Sequence, residues 1–277
     1  MTSQELDNTR YLQVQTPHYN FEMKITKKEE LYYYFTVGDG YIPSIEGSIN
    51  LENKSSKSLY NTAHLSRIHV IERCSEEDIN QGYLNSHSIG KEMLDALIFL
   101  INSQFPSIKT LELSDTTYLP YKSDTYNSLD LLTYSIGLYK KTWYEEKLNA
   151  YILPKEKHEE YRRQVEEYAS KDTKNSIPFF DIYAVMVTSN PSAANIVYPN
   201  MEMYENMYEE SETLPEFFQR LSKTIKREEK CNFFKEWLEK FIYKNISVTN
   251  AWNIDIYPKV TVIKEIKIKN KTRKQRK

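Results

Sequence analysis

Hydrophobic and polar positions alternate with a period of two through much of the first third of the chain. Residues 31–37 (LYYYFTV) are apolar and aromatic, Gly38-Asp39-Gly40 follow, and Ile45, Gly47, Ile49 and Leu51 then share one face. Two such runs joined by a glycine turn predict a hairpin. A second turn at 53–58 leads into the run 60–74, where Leu65, Ile68, Val70 and Ile71 are apolar. Together these segments predict an antiparallel meander of about three strands. The period then becomes helical: Ile89, Met93, Ala96, Leu97, Leu100 and Ile101 recur three and four apart, while Lys91, Glu92, Asp95 and Asn102 fall mostly elsewhere. Ser86 or Ser88 caps this predicted helix, and Pro106 ends it. Residues 108–114 (IKTLELS) alternate like a strand, 129–147 return to the helical period through Leu132, Ile136, Tyr139 and Trp143, and 151–153 read as a further strand. That order predicts a mixed α/β domain of the α+β kind, a mainly antiparallel sheet flanked by helices, over residues 1–154.

The texture changes after residue 154. Residues 155–169 predict a charged helix with Tyr161, Val165 and Tyr168 on one stripe, and 177–188 (IPFFDIYAVMVT) predict a buried strand. Residues 201–212 hold five Glu, three Met and two Tyr, which suits either a solvated loop or helix or an acidic, adaptable contact surface. Phe217, Phe218, Leu221 and Ile225, then Phe233, Phe234, Trp237, Leu238 and Phe241, predict one or two amphipathic helices. Val260, Val262, Ile263, Ile266 and Ile268 predict a closing strand. Residues 155–266 therefore form a second α+β region, suited to holding a protein partner.

Charge changes the picture at one place. The chain has 277 residues, 37 basic and 39 acidic side chains, and a formal net charge of -2. From 264 to 277 there are eight Lys/Arg against one Glu, a net of +7 that leaves -9 for the remainder. No apolar period continues past Ile268, so 267–277 is expected to be a flexible basic tail. Its partner is nucleic acid, an acidic protein surface or a nuclear-import receptor; a solubilising terminus explains it equally well. Cys74 and Cys231 are too few for a disulfide scaffold, which points to reduced thiols in the cytoplasm. No apolar stretch suits a bilayer, and residues 1–10 lack the apolar core of a signal peptide.

Candidate chemistry is sparse. His64, His69, Cys74 and His87 cluster in sequence, but side chains five apart on a regular strand point to opposite faces. There is no Cys-x-x-Cys and no His-x-x-x-His, so no metal site is expected. Gly-x-Ser-x-Gly and Gly-Lys-Ser/Thr are also missing. The most informative stretch is 84–97 (LNSHSIGKEMLDAL), a polar loop opening an amphipathic helix between two strand-like runs. Unpaired amides and the helix dipole favour an anion there.

The strand LSRIHVIERC, the loop-helix NSHSIGKEML, the strand LELSDTT and the helix ending LYKKTWYEEKLNAYIL carry a resemblance to the GNAT acyltransferase superfamily. In particular, the segment resembles divergent GNAT-like proteins of large DNA viruses. The resemblance covers 64–150, about a third of the chain. It implies that acetyl-CoA lays its pantetheine arm along the strand holding Ile68 and Val70. It also implies that the pyrophosphate sits on the loop of Asn85, Ser86, His87 and Ser88, with Gly90, and Lys91 helping to neutralise it. Tyr144 would protonate the departing thiolate, and Glu72 or Asp115 would serve as general base for an amine acceptor. Three departures matter: Asn85 stands for the family's basic or amide residue, Ser88 for its first loop glycine, and Asn149-Ala150, after one extra residue, for the Gly-Phe that ends its second helix. On this likeness residues 155–266 are a degenerate second GNAT-like half or an unrelated interaction domain. The expected activity is acetyl-CoA-dependent N-acyl transfer in the cytoplasm, the host's if the chain is viral. The alternative is a non-catalytic GNAT-like structural or accessory protein acting through protein or nucleic-acid contacts.

Overall fold

The computed structural model describes residues 9–16, 19–29, 32–37, 44–50, 62–69, 89–114, 118–121, 124–189, 198–225, 234, 238, 242, 244–256 and 266–268. It is a mixed α+β structure with a mainly antiparallel open sheet and flanking helices, and it divides into two compact units. The first comprises Met1–Ile71, Asn85–Asp115 and Ala251–Lys277, and the second Glu72–Leu84 and Thr116–Asn250. The strand at 251–255 thus belongs to the first unit, and residues 116–250 to the second.

The first unit is built on an eight-stranded sheet. Strands β1 (Thr9–Gln15), β2 (Asn20–Glu29), β3 (Tyr32–Val37), β4 (Ser44–Asn50) and β5 (Thr62–His69) form an antiparallel meander of five strands, two more than the sequence analysis predicts. Helix α1 (Ile89–Gln104) then crosses over to β6 (Thr110–Ser114), which pairs parallel to β5. Strands β9 (Ala251–Asp255) and β10 (Ile266–Ile268) close the two sides, β9 against β6 and β10 against β1. Lys267 and Ile268, expected to begin the flexible tail, thus lie in a strand.

Register puts the apolar positions of successive strands on one face. Leu12 and Val14, Phe21 and Met23, Phe35, Ile49, Ala63 and Leu65, Leu111 and Leu113, Trp252 and Ile254 are all buried along it. Helix α1 covers this face, with Met93, Leu94, Ala96, Leu97, Leu100 and Ile101 nearly inaccessible. Its first turn is fastened to the end of β1 by the Thr16 hydroxyl donating to the buried Glu92 carboxylate. Beyond its last turn, the Phe105 ring meets Tyr33 of β3 edge-on at 4.9 Å.

The second unit consists of helices and one hairpin, β7 (Tyr118–Tyr121) with β8 (Asp124–Asp130). The helical run expected over 129–147 is two helices, α2 (Leu131–Tyr139) and α3 (Trp143–Leu148). Lys140, at φ 62°, turns the chain into the left-handed region, and Thr142 starts α3 with a full capping box against Glu145. Of the expected strand at 151–153, only a bridge at Tyr151 exists. Helices α4 (Lys155–Tyr168), α5 (Lys171–Ser176), α6 (Phe179–Ser189), α7 (Met201–Glu210) and α8 (Leu214–Thr224) follow, and helical positions at Phe234, Leu238 and Ile242 are buried. Helix α6 replaces the expected buried strand. Phe179, Ile182 and Tyr183 face inward while Phe180 is 65% exposed, a spacing of three and four rather than two. Pro178 just ahead of it suits a helix start and not a central strand.

Helix α2 is the axis of this unit. Its last carbonyls lack intrahelical partners by construction, and three side chains from two other helices supply them. Tyr168 Oη donates to Gly137 O at 2.9 Å, Gln219 Nε2 to Leu138 O at 2.5 Å, and Arg162 Nη1 to Lys140 O at 2.9 Å. Gly137 also sits where an added Cβ would come within 2.7 Å of Leu238 Cδ2. Burial and the missing Cβ therefore lock α2, α4, α8 and the segment around Leu238 together.

Candidate functional site

The ladder between β5 and β6 is shorter than the strands that make it. Thr62, Ala63, His64 and Leu65 pair with Thr110, Leu111, Glu112 and Leu113, and there the described pairing stops. β6 continues to Ser114, which pairs with Ala251 of β9. β5 continues to His69, but Arg67, Ile68 and His69 are matched only on the other side, to Glu46, Ile45 and Ser44 of β4. Three residues of β5 backbone thus have no strand on their β6 side among the described residues. Backbone amides and carbonyls so placed need some other partner.

The cause lies in β5 itself. The register shifts between Glu46 and Gly47, so that Ser66 is an extra residue on β5, a β-bulge. A bulge bends and twists its strand and ends pairing nearby. It is accommodated opposite a glycine for a reason of space: a Cβ on Gly47 would lie 2.3 Å from Phe35 Cζ and 2.5 Å from the His64 carbonyl oxygen.

The bulge also corrects one step of the sequence argument. His64 and His69, five apart, pair with Ser48 and Ser44, four apart, so strict alternation does not carry from one to the other. They remain four ladder positions apart, roughly 13 Å at strand rise, too far to share an ion. No group of three His, Cys, Asp or Glu among the described residues could hold a metal.

On the face opposite the core, register aligns Thr26, Tyr34, Ser48, His64, Glu112 and Asn253 in one row across six strands. His64 and Glu112 are neighbours on β5 and β6, one position before the ladder ends, and both are half-buried. Neither side chain makes a hydrogen bond or ion pair among the described residues. Sequence reasoning set His64 aside as a lone histidine. The signal that finds it is the pairing of HLS in β5 with ELS in β6, which only the parallel register reveals.

The expected cofactor residues are divided. Ile68 lies in the half-paired end of β5. Gly90 and Lys91 lie in the first turn of α1, where unpaired amides are found. Lys91 is committed to an ion pair with Asp95 one turn on, and Glu92 places a buried carboxylate in the same turn. Val70, Glu72, Asn85, Ser86, His87, Ser88 and Asp115 lie outside the described residues. Tyr144 belongs to the second unit, in α3, where it is buried with its ring 5.3 Å from Trp143.

Beside Tyr144 in sequence, Glu145 anchors a network that sequence reasoning did not single out. Its carboxylate accepts from Thr142 N at 2.8 Å and Tyr161 Oη at 2.9 Å, and Arg162 Nη1 lies 3.5 Å away. Burial and this carboxylate push the Tyr161 phenol far up, so it stays protonated and donates. One turn earlier on α4, His158 Nδ1 accepts from Ile152 N at 3.3 Å; burial lowers the imidazole's pKa, with Glu145 opposing. The network is structural chemistry: it caps α3 and ties it to α4.

Among the described residues no helix is long and apolar enough to cross a membrane. Compared with family models, with curated proteins and with solved structures, the chain matches none.

Proposed function

We propose that the first unit is a GNAT-like acyl-CoA module catalysing N-acyl transfer to an amine. The observation that carries the proposal is the half-paired end of β5, a strand edge opened by a bulge at Ser66. An extended pantetheine arm has amide groups of its own and can pair with such an edge as a missing strand would. The β5–α1–β6 crossover following a meander has the order of strands and helix that the hydrophobic pattern predicts.

The polar row supplies the acceptor's side of the reaction. An ammonium gives one proton to His64, which has Glu112 beside it on the next strand. The amine nitrogen forms a bond to the thioester carbon, and the carbon–sulfur bond breaks. As the adduct collapses, the nitrogen's second proton passes to the departing thiolate, which leaves as thiol. The resemblance gives the thiolate's proton to Tyr144 and offers Glu72 or Asp115 as base, and those assignments stand beside His64 as alternatives to be tested.

Calorimetric titration with acetyl-CoA and with CoA tests the proposal. Micromolar binding, about -8 kcal/mol, that is lost in Gly90→Arg supports it; a folded protein that binds neither overturns it. His64→Gln is expected to bind CoA normally and to lower turnover. Tyr144→Phe is expected to lower turnover at unchanged CoA affinity.

A second reading is a non-catalytic GNAT-like protein that keeps the shape alone. The ion pair that occupies Lys91 and the Glu92 carboxylate in the first turn of α1 favour it, since both reduce the attraction for a pyrophosphate. Absence of CoA binding together with capture of a protein or nucleic-acid partner would support it.

A further inference from the structure

We propose that Asn253 completes a ligand site with Glu112 and His64, and that the site takes a primary amine whose nitrogen stands about 5 Å from a carboxamide. The proposal deepens the reading of the polar row as the acceptor's side of the reaction, and rests on it. Asn253 lies in β9, the outermost strand of the sheet among the described residues, between Trp252 and Ile254 of the core. Its own side chain is on the polar face, yet the residue is only 7% exposed. That side-chain amide makes no hydrogen bond among the described residues. Buried amides are nearly always partnered, since leaving one dry forfeits its hydration. Register puts Asn253 directly opposite Glu112, and Glu112 directly beside His64. Three polar side chains without a partner among the described residues thus stand on three adjacent strands.

Charge and spacing define the ligand. β6 and β9 carry two carboxylates, Glu112 and Asp255, and no Lys or Arg. Glu112 has no ion pair among the described residues, so an ammonium is the group that suits it. His64, on the other side of Glu112, can accept a second N–H of the same ammonium. Asn253 offers an N–H donor and a carbonyl acceptor together. A carboxamide returns both, whereas an ammonium only donates and a carboxylate only accepts. Neighbouring strands lie about 4.8 Å apart, a length that two methylene groups between nitrogen and carboxamide can span. β-Alaninamide is a small probe with both groups at that separation. A carboxylate in place of its ammonium would meet Glu112 as a like charge.

The test is proton NMR of the full chain at fixed pH. The chain has five histidines, and the His64 ring signal is the one lost in His64→Gln. β-Alaninamide is expected to move that signal to saturation, and butylamine, which lacks the carboxamide, to need about five times the concentration. Propanamide, which lacks the ammonium, and succinamate, which has a carboxylate in its place, are expected to leave the signal unmoved where β-alaninamide saturates. Asn253→Leu keeps the approximate shape and removes the amide. Butylamine should then bind at least as tightly as β-alaninamide, with a urea midpoint no lower than the parent's, since the lost amide had no partner to leave behind. β-Alaninamide failing to bind, butylamine or propanamide matching it in the parent, or the preference surviving in Asn253→Leu would overturn the proposal. So would a lost preference that comes with a lower midpoint, which marks a structural amide. No acyl donor enters this measurement, so failure here is distinct from failure to bind acetyl-CoA or to turn over.

Discussion

Gly47→Ala is the most exacting test of how the sheet creates the candidate site. A methyl group there would sit 2.3 Å from Phe35 Cζ and 2.5 Å from the His64 carbonyl oxygen, where carbon contacts ordinarily exceed 3.4 Å. The Phe35 ring is fully buried and cannot swing aside, and the carbonyl belongs to the strand backbone just before the bulge. Overpacking of this kind costs about 1–3 kcal/mol. Gly47 lies outside the left-handed region, so the reduced entropy of the unfolded chain returns about 0.4–1 kcal/mol. The net expectation is a loss of roughly 1–2 kcal/mol. Trp252, buried on β9 of the same unit, reports it in a background with Trp143 and Trp237 changed to Phe, as a fall in the urea midpoint. Adding Phe35→Leu removes the nearer clash and leaves the carbonyl one, so a double-mutant cycle should show coupling of about 1 kcal/mol without full rescue. A Gly47→Ala midpoint equal to or above the parent's would refute the steric account of the bulge.

Three further outcomes follow from the second unit. Tyr168→Phe removes the donor to the Gly137 carbonyl in a fully buried setting, and urea unfolding should show a loss of about 1–3 kcal/mol; no change would mean the carbonyl finds another donor. Glu145→Ala strips α3 of its capping box and Tyr161 of its acceptor. It should cost about 2 kcal/mol or more, whereas Glu146→Ala, exposed next to it, should stay within about 0.5 kcal/mol. For His158 the sign is that of a base whose folded pKa lies below the ordinary value. The unfolded chain takes up the proton first, so stability is present above about pH 6.5 and is lost as pH falls from there until the folded imidazole also protonates. Urea midpoints at pH 7.5 and pH 5.5 should differ less in His158→Asn than in the parent, and an equal difference would remove His158 from the account.

Legibility in the sequence followed the range of the interactions involved. The hairpin of β3 and β4, helix α1, strand β6 and the buried stripe of α4 were readable because a period of two or of 3.6 is local. β1 and β2 carry the same signal, Leu12 and Val14, then Phe21, Met23 and Ile25, interleaved with Gln13 in β1 and with Glu22 and Lys24 in β2. The break between α2 and α3 was readable too, since Thr142 and Glu145 have the spacing of a capping box. Helix α6 shows where local pattern fails: Phe179, Ile182 and Tyr183 make a helical stripe, but a short apolar run fits a buried strand equally well until its neighbours are known. The features that matter most for function were beyond any local reading. The bulge at Ser66 exists only relative to β4, the pairing of His64 with Glu112 depends on a parallel crossover, and β9 reaches β6 from more than a hundred residues away. The same bulge that ends the ladder beside His64 also opens the β5 edge. A single steric fact at Gly47 therefore sets both the strand edge offered to a cofactor and the polar pair next to it, and the two should fail together when Gly47 is filled.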